Sequence, residues 1–222
     1  MITVVVPIKN EDPQVAGRLR PVAEQADSEL LIADGGDRPE TVRALEAIGA
    51  RVLRSKGTRG ARLAEAARQA RGEILFFLHA DCEPPEDALA LIRETLAGGA
   101  SAGAFSLAYE GATPALRWIA WWANLRSRLF TLPFGDQGLF CRREAYERAG
   151  GFRDLPICDD VDMVRRLRRL GRFVVLPQKT VTSPRRYRGG ALLRVLRNWR
   201  VLAGYYAGVD PEKLERWYRG KS

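Results

Sequence analysis

GEILFFLHADCEPP, from Gly72 to Pro85, is the stretch that decides the fold class. Ile74 to Leu78 form an unbroken apolar run, bounded by Gly72 on one side and the Pro84-Pro85 pair on the other. A run this short and this apolar suits a strand buried on both faces at the centre of a parallel sheet. A helix of the same composition would need more residues and would meet the prolines. The run stops at His79-Ala80-Asp81. A carboxylate at the carboxyl end of a central strand sits where open α/β sheets hold their ligands. The competing reading makes Asp81 a cap for the helix that starts near Pro85-Glu86-Asp87.

Working outward, Ile2 to Pro7 is a β-branched run ended by proline, which predicts a first buried strand. A helix is expected over residues 13–25, a second strand over Glu29–Ala33, a helix over Glu40–Ile48 and a third strand over Ala50–Leu53. The turn Ser55 to Gly60 then leads into an alanine-rich helix over residues 61–71. This alternation indicates an α/β fold with a mostly parallel, twisted, doubly wound sheet flanked by helices. Asn10-Glu11 follow the first strand, Asp34 and Asp37 the second, and Asp81 the central one. Three carboxylate-bearing loops on one rim repel each other unless something cationic or hydroxyl-rich lies between them. A ribose or a divalent metal would serve.

The second half predicts a half-buried strand at Gly103–Tyr109 and a Trp- and Arg-rich helix at Leu116–Phe130. Phe134 to Cys141 reads as a loop entering a strand, and Arg143–Ala149 as a short helix. Cys158 to Asp162 open a helix running from Met163 to Leu170, and Arg172–Leu176 is a further strand. Ala191–Tyr206 is amphipathic, with Leu192, Val195, Leu196, Trp199, Leu202 and Tyr206 on one face and Arg194, Arg197 and Arg200 on the other. The expected organisation is a catalytic unit over residues 1–184 with a basic helical appendage over 185–222.

The 222 residues, 46% hydrophobic and 28% charged, suit a globular chain rather than a disordered one. The net charge of +9 is concentrated at the end, where residues 185–222 hold ten Lys/Arg against three Asp/Glu. Such an asymmetry suggests an anionic partner: a phosphate-bearing substrate, a membrane surface or nucleic acid. Cys82, Cys141 and Cys158 are too few and too scattered for a zinc site or disulfide framework, and are expected as small buried hydrophobes. The start of the chain lacks the charged-then-apolar pattern of a signal peptide, which points to the cytoplasm. The segment Leu116–Phe134 carries three arginines and an asparagine and is not a simple membrane span. The basic tail and Trp118, Trp121 and Trp122 admit two readings. One is core packing with a solvated basic face; the other is a platform for a lipid-phosphate acceptor, with peripheral contact at the inner face of the plasma membrane.

The chain resembles a family 2 glycosyltransferase with the GT-A nucleotide-sugar-binding fold. Five segments carry the likeness: VVVPIKNE (Val4–Glu11), IADGGD (Ile32–Asp37), ARGEILFFLHAD (Ala70–Asp81), GLFCRREAYERAGGF (Gly138–Phe152) and DDVDMVRRL (Asp159–Leu167). The His-Ala-Asp variant, with GDQG before the Arg-Arg-Glu helix, most resembles a bacterial branch of radical-SAM/selenodomain-associated transferases. The resemblance implies Asp81 as ligand to Mn2+ or Mg2+, and Pro7, Glu11, Asp34, Asp37, Arg59, Arg62 and His79 around the nucleotide sugar. Asp160 matches the family's base, with Asp159 orienting it or capping the helix. Asp136 and Gln137 either hold sugar or acceptor hydroxyls or form an ordinary tight turn. Two positions depart from the family: His79 replaces the first Asp of the Asp-x-Asp motif, and Ala64 stands where many relatives have Asn. His79 offers a neutral hydrogen bond or a metal ligand.

The implied reaction is metal-dependent, inverting transfer of a sugar from a nucleotide-diphosphate sugar to an acceptor hydroxyl, with no nucleic acid as partner. A nucleotidyltransferase would instead expect a glycine-rich basic loop after the first strand, where Lys9-Asn10-Glu11 stand. A non-catalytic basic adaptor for lipid or nucleic acid would not need Asp81 or Asp160.

Overall fold

The first half alternates as the hydrophobic pattern predicts. Strand β1 (Ile2–Ile8) is followed by α1 (Val15–Ala23), β2 (Ser28–Asp34), α2 (Pro39–Glu46), β3 (Arg51–Arg54), α3 (Arg59–Gln69) and β4 (Ile74–Phe77). The computed structural model describes residues 1–184 and 191–220. After β4 come a two-residue strand β5 (Cys82–Glu83), α4 (Ala88–Ala97), β6 (Ala102–Tyr109), α5 (Pro114–Phe130) and a 3-10 turn at Gly135–Gln137. Then follow β7 (Leu139–Arg142), α6 (Arg143–Arg148), α7 (Asp159–Leu167), β8 (Phe173–Thr182), α8 (Ala191–Tyr206) and α9 (Pro211–Arg219).

The strands form one sheet in the order β3-β2-β1-β4-β7-β6-β8-β5. β1 pairs in parallel with β2 and β4, β2 with β3, and β6 with β8. β7 runs against both β4 and β6, and β5 runs against β8. The sheet is therefore mostly parallel, with two reversed strands.

Period-two alternation divides the core between two faces. Val4 and Val6 of β1 pack with Leu19, Leu45, Phe76, Leu89 and Ile92 on one face. Val5 packs with Leu31, Leu63, Phe77, Met163 and Leu167 on the other. A third cluster, Leu132, Cys158 and Val161 with Val201, Leu202 and Leu214, fastens α8 and α9 to the loops around α7. The tie is polar as well: Asp162 of α7 accepts from Arg166 (2.9 and 2.6 Å) and from the Tyr205 hydroxyl of α8 (3.0 Å). All three cysteines are buried, one in each of these clusters. Among the described residues no helix is long and apolar enough to cross a membrane.

Several boundaries differ from the sequence reading, each for a local reason. α7 begins at Asp159 rather than Met163, because Cys158 in a left-handed conformation (φ 62°) turns the chain directly into the helix and places Asp159 and Asp160 in its first turn. β8 runs on past Leu176 to Thr182 by absorbing Pro177 into an irregularity, where the register with β6 shifts between Ala104 and Ser106. Ser106 Oγ donates to the Leu176 carbonyl there (2.8 Å). Core packing of the three tryptophans is also overturned. Trp118 and Trp121 are 55% exposed and Trp122 45%, because α5 lays Leu116, Ile119 and Ala120, not its indoles, against β6. The boundary at residue 185 and the basic residues Arg185, Arg186, Arg188 and Lys221 fall outside the described residues.

Candidate active site

The parallel strands β1, β2 and β4 all end at one rim, and the loops that follow them interlock. Gly35 N–H donates to the Ile8 carbonyl (3.0 Å), and Asp37 N–H donates to Asn10 Oδ1 (3.0 Å). Gly36 has no room for a side chain, since a Cβ there would lie 2.5 Å from Asn10 N. Asp34 is buried, accepting from Gly36 N–H (2.8 Å) and pairing with Arg54 (2.9 Å). Glu11 and Asp37 sit partly or fully exposed on the same rim.

Arg62 is buried and points inward. Its guanidinium donates to the Ile8 and Ala33 carbonyls, clamping the ends of β1 and β2. Its expected place around the nucleotide sugar is therefore corrected: Arg59, one helical turn earlier, presents its guanidinium to the cleft. Arg59 donates to both oxygens of Asp159 (2.9 and 2.6 Å), lies 3.5 Å from Asp160 and donates through Nη1 to His79 Nε2 (2.8 Å). Burial alone would lower the Arg59 pKa, but Asp159 and Asp160 outweigh it and raise it, so the charge is fixed.

Asp160 faces the cleft more than Asp159 does (18% against 4% of the side chain exposed). Its Oδ2 accepts from Gly135 N–H (2.7 Å) and its Oδ1 from Val161 N–H (2.8 Å). Burial pushes its carboxyl upward, yet the Arg59 guanidinium and the Gly135 amide prevail and hold it below the usual carboxylate range. Both carboxylates also sit at the N-terminus of α7, where the helix dipole favours negative charge. Gly135 is the spacer between Asp160 and the strand end. A Cβ there would lie 2.5 Å from His79 Nε2 and 3.1 Å from Asp160 Oδ2. Both sequence-based readings of this loop leave the glycine's own role open, and its distant neighbours supply the constraint.

Asp81 caps no helix, since α4 starts at Ala88 after Asp87. Its carbonyl accepts instead from Ser183 N–H (3.1 Å), which fixes the strand-end loop to the far end of β8. A His79 ring nitrogen, an Asp81 carboxylate oxygen and Cys82 Sγ lie within 4.8 Å of one another. Imidazole and carboxylate suit a divalent cation, and the thiol adds a softer donor than the sequence reading allowed. Read from the sequence as simply a small hydrophobe, Cys82 belongs to this group.

Arg59, His79, Gly135, Asp136, Asp159 and Asp160 line a cleft of about 450 Å³. A narrow inner recess adds Pro7 to Arg59, His79 and the two carboxylates. Arg194 and Asn198 of α8 close the outer side, and Asn198 was not among the residues expected there. Gln137 is corrected. It is fully buried, its amide oxygen accepts from Ser127 Oγ (2.7 Å) and Phe134 N–H (3.2 Å), and its nitrogen donates to the Phe105 carbonyl (2.9 Å). It fixes the loop and has no edge left for a sugar.

Residues 3–148, well over half of the chain, match the family Glycosyl transferase family 2. The chain belongs to glycosyl transferase family 2. No curated sequence matches this family 2 chain. Among solved structures it is similar to the mannosyltransferase PcManGT from Pyrobaculum calidifontis in complex with GDP-Man and Mn2+, at 23% identity and a TM-score of 0.68, over 90% of this chain and 60% of that one. It is also similar to S. aureus TarS 1-349 in complex with UDP-GlcNAc (17%, TM-score 0.65, 82% of this chain and 58% of that one). A third likeness is to glucosyl-3-phosphoglycerate synthase from Mycobacterium tuberculosis in complex with Mn2+, UDP and phosphoglyceric acid (20%, TM-score 0.56, 81% and 68%). The family 2 chain thus spans about three fifths of the first two proteins, and at these identities the likeness is one of fold, the GT-A α/β fold.

Proposed function

We propose that the chain transfers a sugar, in the hexose class, from a nucleoside diphosphate to an acceptor hydroxyl with inversion at the anomeric carbon. The observation that carries this reading is the meeting of Asp160 and His79 across Gly135 in one cleft at the carboxyl end of β4. The family and the nucleotide-sugar complexes of structurally similar proteins support it.

Asp160, ionised and oriented by two backbone amides, takes the acceptor's proton as its oxygen attacks. The new bond joins that oxygen to the anomeric carbon while the bond to the diphosphate breaks, and the electron pair leaves with the phosphate. Arg59 faces the diphosphate, with Asp159 fixing its guanidinium. His79 and Asp81, beside Cys82, are the residues that would hold Mn2+ or Mg2+, whose charge offsets that of the leaving group. Glu11, Asp34 and Asp37 on the adjoining rim, with Pro7 at the inner recess, are the residues for base and ribose, and Asp136 for sugar or acceptor. The His-Ala-Asp and GDQG segments favour the radical-SAM/selenodomain-associated branch, acting in the cytoplasm or peripherally at the membrane's inner face.

A thermal-shift screen of UDP-, GDP- and dTDP-sugars with and without Mn2+ tests the reading. Metal-linked stabilisation by one donor is expected, lost in Asp81→Asn. No such shift with any donor would overturn it.

A further inference from the structure

An apolar groove of about 340 Å³ runs between α5 and α8, walled by Trp118, Ile119, Trp122 and Ala123 on one side and Val195 and Trp199 on the other. It opens into the candidate active site: Phe134, Asp136, Asn198 and Leu202 line both. The polar side chains Asp136 and Asn198 lie at that junction, so an occupant meets hydrogen-bonding groups at its end and hydrocarbon along its length. Arg126 is the groove's cation, stacked 3.6 Å from the Phe134 ring. Beyond Arg126 and Trp199 the apolar surface continues into a second hollow with Leu129, Phe130 and Tyr206, each more than half exposed. Exposed apolar surface of this extent marks a binding surface. A free sugar needs polar contacts along its whole edge, which this groove does not offer.

We infer that the groove holds the aliphatic or isoprenoid chain of an amphiphilic acceptor whose hydroxyl reaches Asp160. The inference rests on the transfer reading for the identity of the occupant as acceptor, while the chain-binding site stands on the groove itself. Continuity with the cleft places the head beside Asp160, where Asp136, Asn198 and Arg194 offer hydrogen-bonding groups to a hydroxyl-bearing polar head.

The test uses 1-acyl-glycerol 3-phosphates of increasing chain length, each below its micelle concentration, with tryptophan emission as readout because three of the five tryptophans line the groove. A saturable change is expected, with Kd falling roughly fourfold per added methylene until the groove is full. Ala123→Phe, which fills the groove, and Trp199→Ala, which opens it, each weaken binding by about tenfold or more. Emission that does not saturate, affinity independent of chain length, unchanged binding in both variants, or response to vesicles of anionic lipid alone would overturn the inference. So would a concentration-dependent dimer that shuts out the probe. The Mn2+-linked donor shift is measured on the same samples. If it is absent while chain-dependent binding persists, the transfer reading fails and the apolar-chain site stands; if it is present with flat emission, the groove proposal fails alone.

Discussion

Asp159 gives both carboxylate oxygens to Arg59, whereas Asp160 turns one oxygen to the Gly135 amide and keeps an edge in the cleft. Asp160→Asn should therefore lower kcat by about 10²–10⁴-fold, the usual range for a general base, while leaving the donor-linked thermal shift in place. On the proposed mechanism Arg59 should set the acid limb. Because the folded pKa of Asp160 is depressed, its stabilising contribution is present above the unfolded value of about 3.9 and is lost as pH falls through the lower folded value. Arg59→Ala leaves burial dominant, so the acid limb of kcat/KM should move to higher pH. The same change should cost on the order of 2–3 kcal/mol in urea unfolding, below the full figure for a buried pair because 30% of the Arg59 side chain is exposed. At this scale Asp160 and Arg59 are legible in the sequence through their motif and loop. Gln137 and Arg62 are not, because a polar residue beside a motif looks the same whether it faces a ligand or staples a backbone.

α3 meets α7 through Gly60, in the first turn of α3, where a Cβ would stand 2.2 Å from the Arg153 carbonyl oxygen and 3.2 Å from Asp159 Cβ. Backbone cannot swing aside as a side chain can. Gly60→Ala, which in an open helix would gain about 1 kcal/mol, should instead destabilise by roughly 1–3 kcal/mol in denaturant unfolding and lower kcat, since the displaced turn carries Arg59. The βα alternation of the first half is readable because single helical crossovers join β1 to β2 and β2 to β3, and the apolar run of β4 marks it as a strand although it pairs with the distant β1. The second half is harder. β5 is two residues long and exists only through Val181 and Thr182 of β8, and Pro177 reads as a strand end until the irregularity opposite Ser106 absorbs it. Local pattern does not hold that information.

For the molecule as a whole, a donor present at a hundred times its Kd stabilises the folded state by about 2.7 kcal/mol, which in a chain of this size raises Tm by roughly 5–10 °C. That rise should need Mn2+ and should shrink in His79→Ala as in Asp81→Asn, measured by scanning fluorimetry. The concentration of positive charge near the end of the chain is plain in the sequence. The exposure of Trp118, Trp121 and Trp122 is not, because periodicity identifies an apolar face without saying what covers it.

The distribution of the three thiols gives the chain a built-in reporter. Cys82, Cys141 and Cys158 each belong to a different hydrophobic cluster, and burial pushes up the pKa of Cys141 and takes that of Cys158 to about 12. A maleimide pulse on native protein should therefore leave all three unmodified. Under mild denaturant, peptide mapping of the alkylated sites should then reveal the sequence in which the two sheet faces and the α8–α9 attachment come undone, with no engineered label.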